Sequence, residues 1–408
     1  MLIRKIVRTT LGIKDHRVVS VRGDERKIVI ALDKIKGHRL PCSCCGKRMP
    51  VRDRLRQREW RHVPLWNIPV IIRYRPARVC CTDCGIKVEL IPWSNGKSSL
   101  AVPLSLALAS WAKKLPMKVV ADIFGVCWNT VYSAVNQVVA YGLARQIKEG
   151  ITALGIDEIS RKKGHTYLTQ IYDLSRKRLL GSVEDRTYES LSGFFKQWGE
   201  DNLKNIRGVC CDMWDPYIKA IKEHLPDAVI VFDKFHLIRH LLEAVNDVRK
   251  QEAAILKKTD PDLLTGTRYI WLKNPWNLTE KQKHRLSYLE KLNLKINRAY
   301  LLKENFRELW SCPNVQEAKR FLDHWFWLAT HSRIPQMRKF AWMIRNHEEG
   351  ILAWFCLPID NGAVEALNNV AKTISHQAKG YGSSITFATL LMHCMGKLDS
   401  PYWVHRFV

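Results

Sequence analysis

"IRGVCCDM", residues 206–213, is an apolar run of strand length that closes on a carboxylate, Asp212. Such a run reads as a buried strand of a sheet flanked by helices. On its N-terminal side, "ALGIDEISR" (153–161), "TYLTQIYDL" (166–174) and "RLLGSVED" (178–185) read as three successive strands with short polar connections, followed by an amphipathic helix in "YESLSGFFKQWGE". On its C-terminal side, "DPYIKAIKEHL" reads as a helix and "AVIVFDKFH" (228–236) as a last strand. Three strands, a helix, a strand, a helix and a strand predict a mixed sheet with helices packed on it.

That order of elements is the order of a ribonuclease H-like α/β core. Charged residues at the ends of buried strands are expensive unless they are paired or bind metal. Asp157 ends an apolar run in the first strand, as Asp212 does in the fourth. Alternation sends Asp157 and Glu158 to opposite faces, so only one of them can join a given site, and Asp157 is favoured. Asp215 precedes Pro216 and reads as a helix N-cap. Asp233 and His236 could approach the same site from the last strand, but they serve as well to orient the helix that follows.

Two aspartates do not easily hold two divalent ions, and "LPIDNGAVEALNN" (357–369) supplies a third carboxylate. Asp360 and Asn361 can cap a helix on which Glu365, Asn368, Asn369 and Lys372 fall along one face. A glutamate near the start of a helix can be aimed at metals held by a neighbouring sheet, while Asn and Lys one turn on can reach phosphate. Taken alone, the stretch is an ordinary solvated helix; beside Asp157 and Asp212 it completes a site.

The chain has 408 residues, 46% of them apolar, which implies more than one structural unit. Sixty-six Lys and Arg against 39 Asp and Glu leave a net charge of +27, spread along the chain, and nucleic acid is the commonest polyanion to meet such a surface. No stretch approaches the roughly 18 uninterrupted apolar residues of a membrane span. The opening residues are too charged for a signal peptide, so a soluble intracellular protein is expected.

Reduced thiols in close pairs read as metal ligands. "PCSCCGKRMP" and "RVCCTDCGIK" each hold a C-x-x-C pair followed by glycine: Cys42 and Cys45 before Gly46, Cys81 and Cys84 before Gly85. Two such knuckles make a closed four-thiolate zinc site, structural rather than catalytic, with Cys44 and Cys80 as spare thiols. Between them "RDRLRQREWRHVP" (52–64) suits either phosphate contact, with Trp60 stacking, or a solvated strand face. In "PMKVVADIFGVCWNTVYSAVNQVV" (116–139), Val119, Val120, Ile123 and Phe124 form one apolar face, Gly125 breaks the helix, and Val131, Val135 and Val138 form a second face. This is a helix-turn-helix pattern, and it leaves Asn129, Thr130, Tyr132 and Ser133 as groove contacts. Trp271, Trp276, Trp325 and Trp327, in a helical stretch, read as core.

The stretches "GIDEIS", "CCDMWDPYIKAIKEHLPDAVIVFDKFHLIRHLLEAVNDVRK" and "LPIDNGAVEALNNVAKTI", with "GYGSSITFATLLMHC" near the end, resemble the transposases of the ISL3 family of bacterial insertion sequences. The cysteine knuckles and the helix-turn-helix match that family's N-terminal half. The resemblance implies a DDE site of Asp157, Asp212 and Glu365 binding Mg²⁺ or Mn²⁺, and structural Zn²⁺ at Cys42, Cys45, Cys81 and Cys84. Asn369 and Lys372 are expected to contact DNA. The texture of the chain divides it into a zinc-binding domain (1–100), a helix-turn-helix region (101–150), the first part of the core (151–238), a helical stretch (239–350) and the last part of the core (351–408), and the resemblance makes 239–350 an all-helical insertion. The partners implied are terminal inverted repeats and target DNA, bound by a homodimer or higher assembly in the bacterial cytoplasm at the nucleoid. Where the family usually carries further basic residues after Lys372, this chain has Ser375 and His376. Two rivals stand beside that reading: a DNA-binding regulator derived from a transposase, and a structure-selective nuclease on the same core.

Overall fold

Ile30 and Leu32 turn inward on alternate positions of a short β-branched run, and this pattern builds the N-terminal sheets of the computed structural model. The structure describes Lys5, Val7, Arg8 and residues 13–162, 166–359 and 361–401. These fall into two compact units, Met1–Ile147 with Ile374–Val408, and Lys148–Thr373. The segment 351–408 is thus shared between the units. Among the described residues, no helix is long and apolar enough to cross a membrane.

In the first unit, strands β1 (His16–Gly23), β2 (Ile28–Lys34), β6 (Arg58–Leu65) and β7 (Ile68–Tyr74) form a sheet of order β1-β2-β7-β6. A two-stranded pair, β3 (Leu40–Pro41) with β4 (Arg48–Met49), and a three-stranded sheet of β5 (Val51–Arg54), β8 (Ala77–Cys81) and β9 (Gly85–Val88) carry the cysteines. Trp60 is fully buried, edge-on to Trp93, and its ring takes no part in any surface. The arginines around it are largely committed within the unit. Arg54 pairs with Asp33, Arg58 donates to the Ser98 carbonyl, and Arg61 donates to the carbonyls of Phe124 and Gly125.

Three helices follow: α1 (Val102–Ala112), α2 (Met117–Phe124) and α3 (Trp128–Leu143). Gly125 ends α2 in the left-handed region at φ 55°, which a side chain would strain. The buried face of α2 is Met117, Val120 and Ala121; of the expected face Val120 is buried, but Val119 and Ile123 are exposed. The helix begins one residue after Pro116, and that phase turns Val119 and Ile123 outward. Val131, Val135 and Val138 are buried on α3 as their spacing requires.

The second unit is built on β10 (Ala153–Lys162), β11 (Thr166–Asp173), β12 (Arg178–Glu184), β13 (Gly208–Cys211) and β14 (Val229–Phe232), in the order β12-β11-β10-β13-β14. The first three pair antiparallel, and β10, β13 and β14 run parallel. Helices α4 (Tyr188–Trp198), α5 (Glu200–Leu203) and α6 (Asp215–His224) connect the strands. Asp215 is the first residue of α6 rather than its cap, which is Trp214.

Helix α7 (Lys234–Leu256) leaves β14 and leads into α8 (Arg268–Leu272), α9 (Glu280–Glu290), α10 (Lys295–Arg307), α11 (Val315–His331), α12 (Pro335–Asn346) and α13 (Glu348–Leu352). One apolar cluster runs from Ile151 on the sheet side to Ile351 among these helices. Trp271 and Trp325 belong to it, whereas Trp276 and Trp327 are exposed. Residues two apart on a helix point about 200° away from each other, so Trp325 and Trp327 cannot both face inward. The chain returns to the sheet in α14 (Gly362–Gln377), and α15 (Ser384–Met395) closes on the first unit, where His393 meets the Ala109 carbonyl.

Candidate functional site

Parallel pairing sets Gly155 opposite Cys210, and Cys211 opposite Phe232. Two residues on from the first pair, Asp157 and Asp212 come level. One residue on from the second, Asp212 and Asp233 come level too. Level positions on parallel strands share a face, so Asp212 and Asp233, just past the carboxyl ends of β13 and β14, gather beside Asp157 within β10.

His236, in the first turn of α7, stands among them. Its Nδ1 is 3.1 Å from Asp212 Oδ2, and its Nε2 is 3.9 Å from Asp157 Oδ1 and 4.0 Å from Asp233 Oδ2. Burial works to raise the Asp212 pKa, but the imidazole and the Met213 N–H outweigh it and hold the carboxyl at about 2. Burial wins at Asp157, which is raised, and at Asp233, which is pushed up to about 6. His236 itself is lowered by burial and raised further by Asp212 and the other two carboxylates, with a net rise. Asp233 also caps α7, accepting from the Phe235 N–H at 3.0 Å. Orienting the helix and lining the cavity are therefore one arrangement.

Glu158 was expected on the opposite face, yet it lines the same cavity as Asp157. β10 pairs with β13 only over 153–155 and runs on with β11 alone, so its end has no neighbour on the β13 side to separate the two faces. Arg186 Nε lies 2.9 Å from Glu158 Oε1, and its Nη2 lies 3.4 Å from Asp212 Oδ2. Burial, outweighing Arg186, pushes Glu158 up to about 7.

Helix α14 arrives over this end of the sheet. The Glu365 N–H donates to the Asn361 carbonyl at 2.8 Å, and Asn361 is buried, its Nδ2 3.5 Å from the Ile156 carbonyl. Asp360 lies outside the described residues. Asn368, expected to face the substrate strand, is buried instead, with its Nδ2 donating to Asp157 Oδ2 at 2.7 Å. Glu365, Asn369 and Lys372 are exposed. Glu365 and Lys372 line, with Asp157, a cavity of about 500 Å³.

Two glycines let the helix come so close. A Cβ on Gly155 would stand 2.7 Å from Val364 Cγ2 and 3.0 Å from Asn361 Oδ1, and one on Gly208 would collide with Leu357 and stand 3.0 Å from Ile359 Cδ1. Glycine inside a strand pattern signals such an approach, so this part was findable in the sequence. Arg186 carries no comparable local signal.

In the first unit the Sγ atoms of Cys42, Cys45, Cys81 and Cys84 lie within 4.8 Å of one another. Among the described residues this is the one His, Cys, Asp and Glu cluster so tightly drawn. Cys45 and Cys81 sulfurs are 3.5 Å apart, close to the ~3.8 Å that Zn–S bonds of about 2.3 Å impose on a tetrahedron. Gly46 and Gly85 take φ 74° and 71°, the turns their place after each pair calls for. Cys44 and Cys80 are exposed outside the cluster. On α3, Asn129 and Ser133 are exposed, while Thr130 and Tyr132 are half-buried. Thr130 contacts Cys127 Sγ at 3.0 Å, and Tyr132 stacks on Trp128.

Over 388 residues the chain is 27% identical to the transposase for insertion sequence element IS1001 of Bordetella parapertussis, an overlap covering 93% of this chain and 95% of that protein. It is 26% identical over 420 residues to the transposase for insertion sequence element IS1557 of Mycobacterium tuberculosis, with 95% and 94% covered. The ISL3-type DDE family described as "Transposase" matches residues 154–391, more than half of the chain and every strand of the carboxylate-bearing sheet. A match of that extent, on relatives that share the chain almost from end to end, makes this protein a member of the ISL3 family of DDE transposases.

Proposed function

We propose that this transposase binds the terminal inverted repeats of its insertion sequence and cuts and joins DNA at a divalent-metal site formed by Asp157, Asp212 and Glu365. The observation that carries the reading is the parallel register that levels Asp157 with Asp212, while Glu365 stands on a helix over the same cavity. The core is read as ribonuclease H-like, since its five strands run in the order and directions of that fold. The five-part division from the zinc-binding domain to the Glu365 helix, with 239–350 as the insertion, belongs to the same reading.

The donor set fits the divalent metal that the DDE family implies. Carboxylate oxygens suit Mg²⁺ or Mn²⁺, and the imidazole of His236 stands among the same oxygens. When bound, such ions activate a water or a 3′ hydroxyl and stabilise the leaving oxygen of an in-line displacement. The protein's own groups do the rest. Asn368 and the Glu158 N–H hold the two oxygens of Asp157, Arg186 steadies Asp212, and Lys372 on the cavity rim meets substrate phosphate, with Asn369 beside it. Zn²⁺ held by the four thiolates would have no open coordination position, and its part would be structural. Asn129, Thr130, Tyr132 and Ser133 are assigned to the DNA groove, and a homodimer or higher assembly on DNA to the paired ends. The working compartment assigned is the bacterial cytoplasm, at the nucleoid.

The test is cleavage and strand transfer on DNA carrying the element's ends, with Mg²⁺ present. Asp212→Asn is expected to reduce both to background while end binding persists; cutting and joining at the parental rate would sink the assignment. A parental protein that cuts without joining is a nuclease on this core, and one that binds ends without cutting is a regulator.

A further inference from the structure

We infer that Tyr172 and Asn368 form a positioning pair that locks the helix bearing Glu365 against Asp157, so that the first and third carboxylates are set in place by the protein before any metal binds. This rests on the assignment of Asp157 and Glu365 as ligands.

The argument begins with a hydrogen-bond chain. The Tyr172 hydroxyl donates to Asn368 Oδ1 at 2.6 Å, and Asn368 Nδ2 donates to Asp157 Oδ2 at 2.7 Å. Tyr172 is 0% and Asn368 5% exposed, while Asp157 is half-buried at the cavity wall, so the bond between the first two is no casual surface contact. The chain has one sensible polarity. Reversing the amide would set its oxygen against the Asp157 carboxylate, two acceptors face to face, whereas the tyrosine hydroxyl is satisfied as a donor. Tyr172 therefore fixes which way the Asn368 amide points, and the amide fixes the carboxylate. With the Glu158 N–H on Asp157 Oδ1 at 2.8 Å, both oxygens are tied, and the carboxylate cannot rotate freely.

The same bond sets the helix. Asn368 lies three residues after Glu365, so the two project from one face of α14, less than one turn apart. Tyr172 and Asp157 belong to neighbouring strands, with Tyr172 opposite Gly155 and Asp157 opposite Gln170. The sheet thus offers two anchors to one side chain of the helix. Holding Asn368 by both ends fixes the rotation of α14 about its axis, and with it the direction in which Glu365 leaves the helix. Groups that orient metal ligands in this way typically change metal affinity or activity about 10–100-fold when removed.

The experiment compares wild type, Tyr172→Phe, Asn368→Ala and the double variant. Mn²⁺ binding to the DNA-free protein is followed by electron paramagnetic resonance, and kcat and KM are measured for end cleavage. Asn368→Ala is expected to weaken Mn²⁺ binding and lower kcat by about 10-fold or more, with KM for DNA little changed. Tyr172→Phe keeps the ring and its packing, so it tests the hydrogen bond even if Asn368→Ala folds poorly; a several-fold loss of the same kind is expected. Because Tyr172 acts through Asn368, its substitution should add nothing in the Asn368→Ala background. Parental Mn²⁺ affinity and kcat in Tyr172→Phe, or losses that simply multiply in the double variant, overturn the pair. Asp157→Asn is measured alongside: if it cleaves normally, the ligand assignment has failed, whereas if it is dead and Tyr172→Phe is unaffected, only the positioning role has failed.

Discussion

Asp157 and Asp212 stand level on adjacent strands, yet their protons are held in opposite ways. His236 contacts Asp212 closely and keeps it ionised, whereas burial prevails at Asp157. A histidine under the reverse influence lies in the first unit. Burial drives His393 down to about 4, with its Nε2–H donating to the Ala109 carbonyl at 2.7 Å. A folded-state pKa below the unfolded value of 6.5 means that the unfolded chain takes up the proton first. The stability tied to neutral His393 is therefore complete above about pH 6.5 and is lost as pH falls toward about 4, reaching roughly 2 kcal/mol by pH 5. Denaturant titrations of wild type and His393→Gln at pH 7 and pH 5 should show the gap between the two proteins narrowing by about that amount at the lower pH; a constant gap would count against it.

Helix α14 depends on empty space as much as on bonds. Gly155 and Gly208 face the segment 357–364, and a methyl group at either would meet its side chains or, at Gly155, also Leu174. Overpacking of this sort costs about 1–3 kcal/mol, and the strain falls on the helix that carries Glu365. Gly155→Ala is expected to lower stability within that range and to slow end cleavage, because Val364 and Asn361 must withdraw. Gly193→Ala on α4 has nothing within 4 Å and replaces a helical glycine, so it should be neutral or stabilising by up to about 1 kcal/mol. Thermal melts with cleavage rates on the three proteins check this pair of expectations. If Gly155→Ala matched Gly193→Ala in both, close approach would not be what keeps those positions small.

Each unit has apolar clusters of its own among the described residues. Val7, Trp60, Trp93 and their neighbours form one cluster, Leu40, Cys42 and Val79 a small second one, and the Ile151–Ile351 cluster a third. The small cluster beside the thiolates has little apolar surface of its own, so a metal held by them would supply much of its stability. Cys81→Ser is expected to lose bound zinc and binding to the element's ends, while the unfolding transition of the Lys148–Thr373 unit shifts by less than about 0.5 kcal/mol. Metal analysis, gel shift and denaturant melts decide it, and an equal loss in both units would overturn it. The net charge of +27 bears on the whole chain. End binding should weaken steeply with salt, with a log–log slope on the order of −5 or steeper, about 0.9 for each phosphate neutralised. A slope near zero would refute an electrostatic footprint of that size.

Much of the architecture was readable from residue order because strand alternation, glycine turns and cysteine spacing are local properties of the backbone. The five core strands, the two knuckles and the buried valines of α3 all follow from patterns a few residues long. The carboxylates stood out for a related reason, since Asp157 and Asp212 end apolar runs where a charge needs a partner. What a local pattern does not contain is phase and partnership. The sidedness of α2 and the exposure of Trp276 and Trp327 depend on where each helix begins and what covers it. Glu158 joins the cavity because β10 outruns β13. Asn368 looked like a residue for the substrate and is instead held between Tyr172 and Asp157, about two hundred positions earlier in the chain. Contacts between residues so far apart are set by the packing of the whole unit, and no spacing rule within the helix could have shown which way that amide turns.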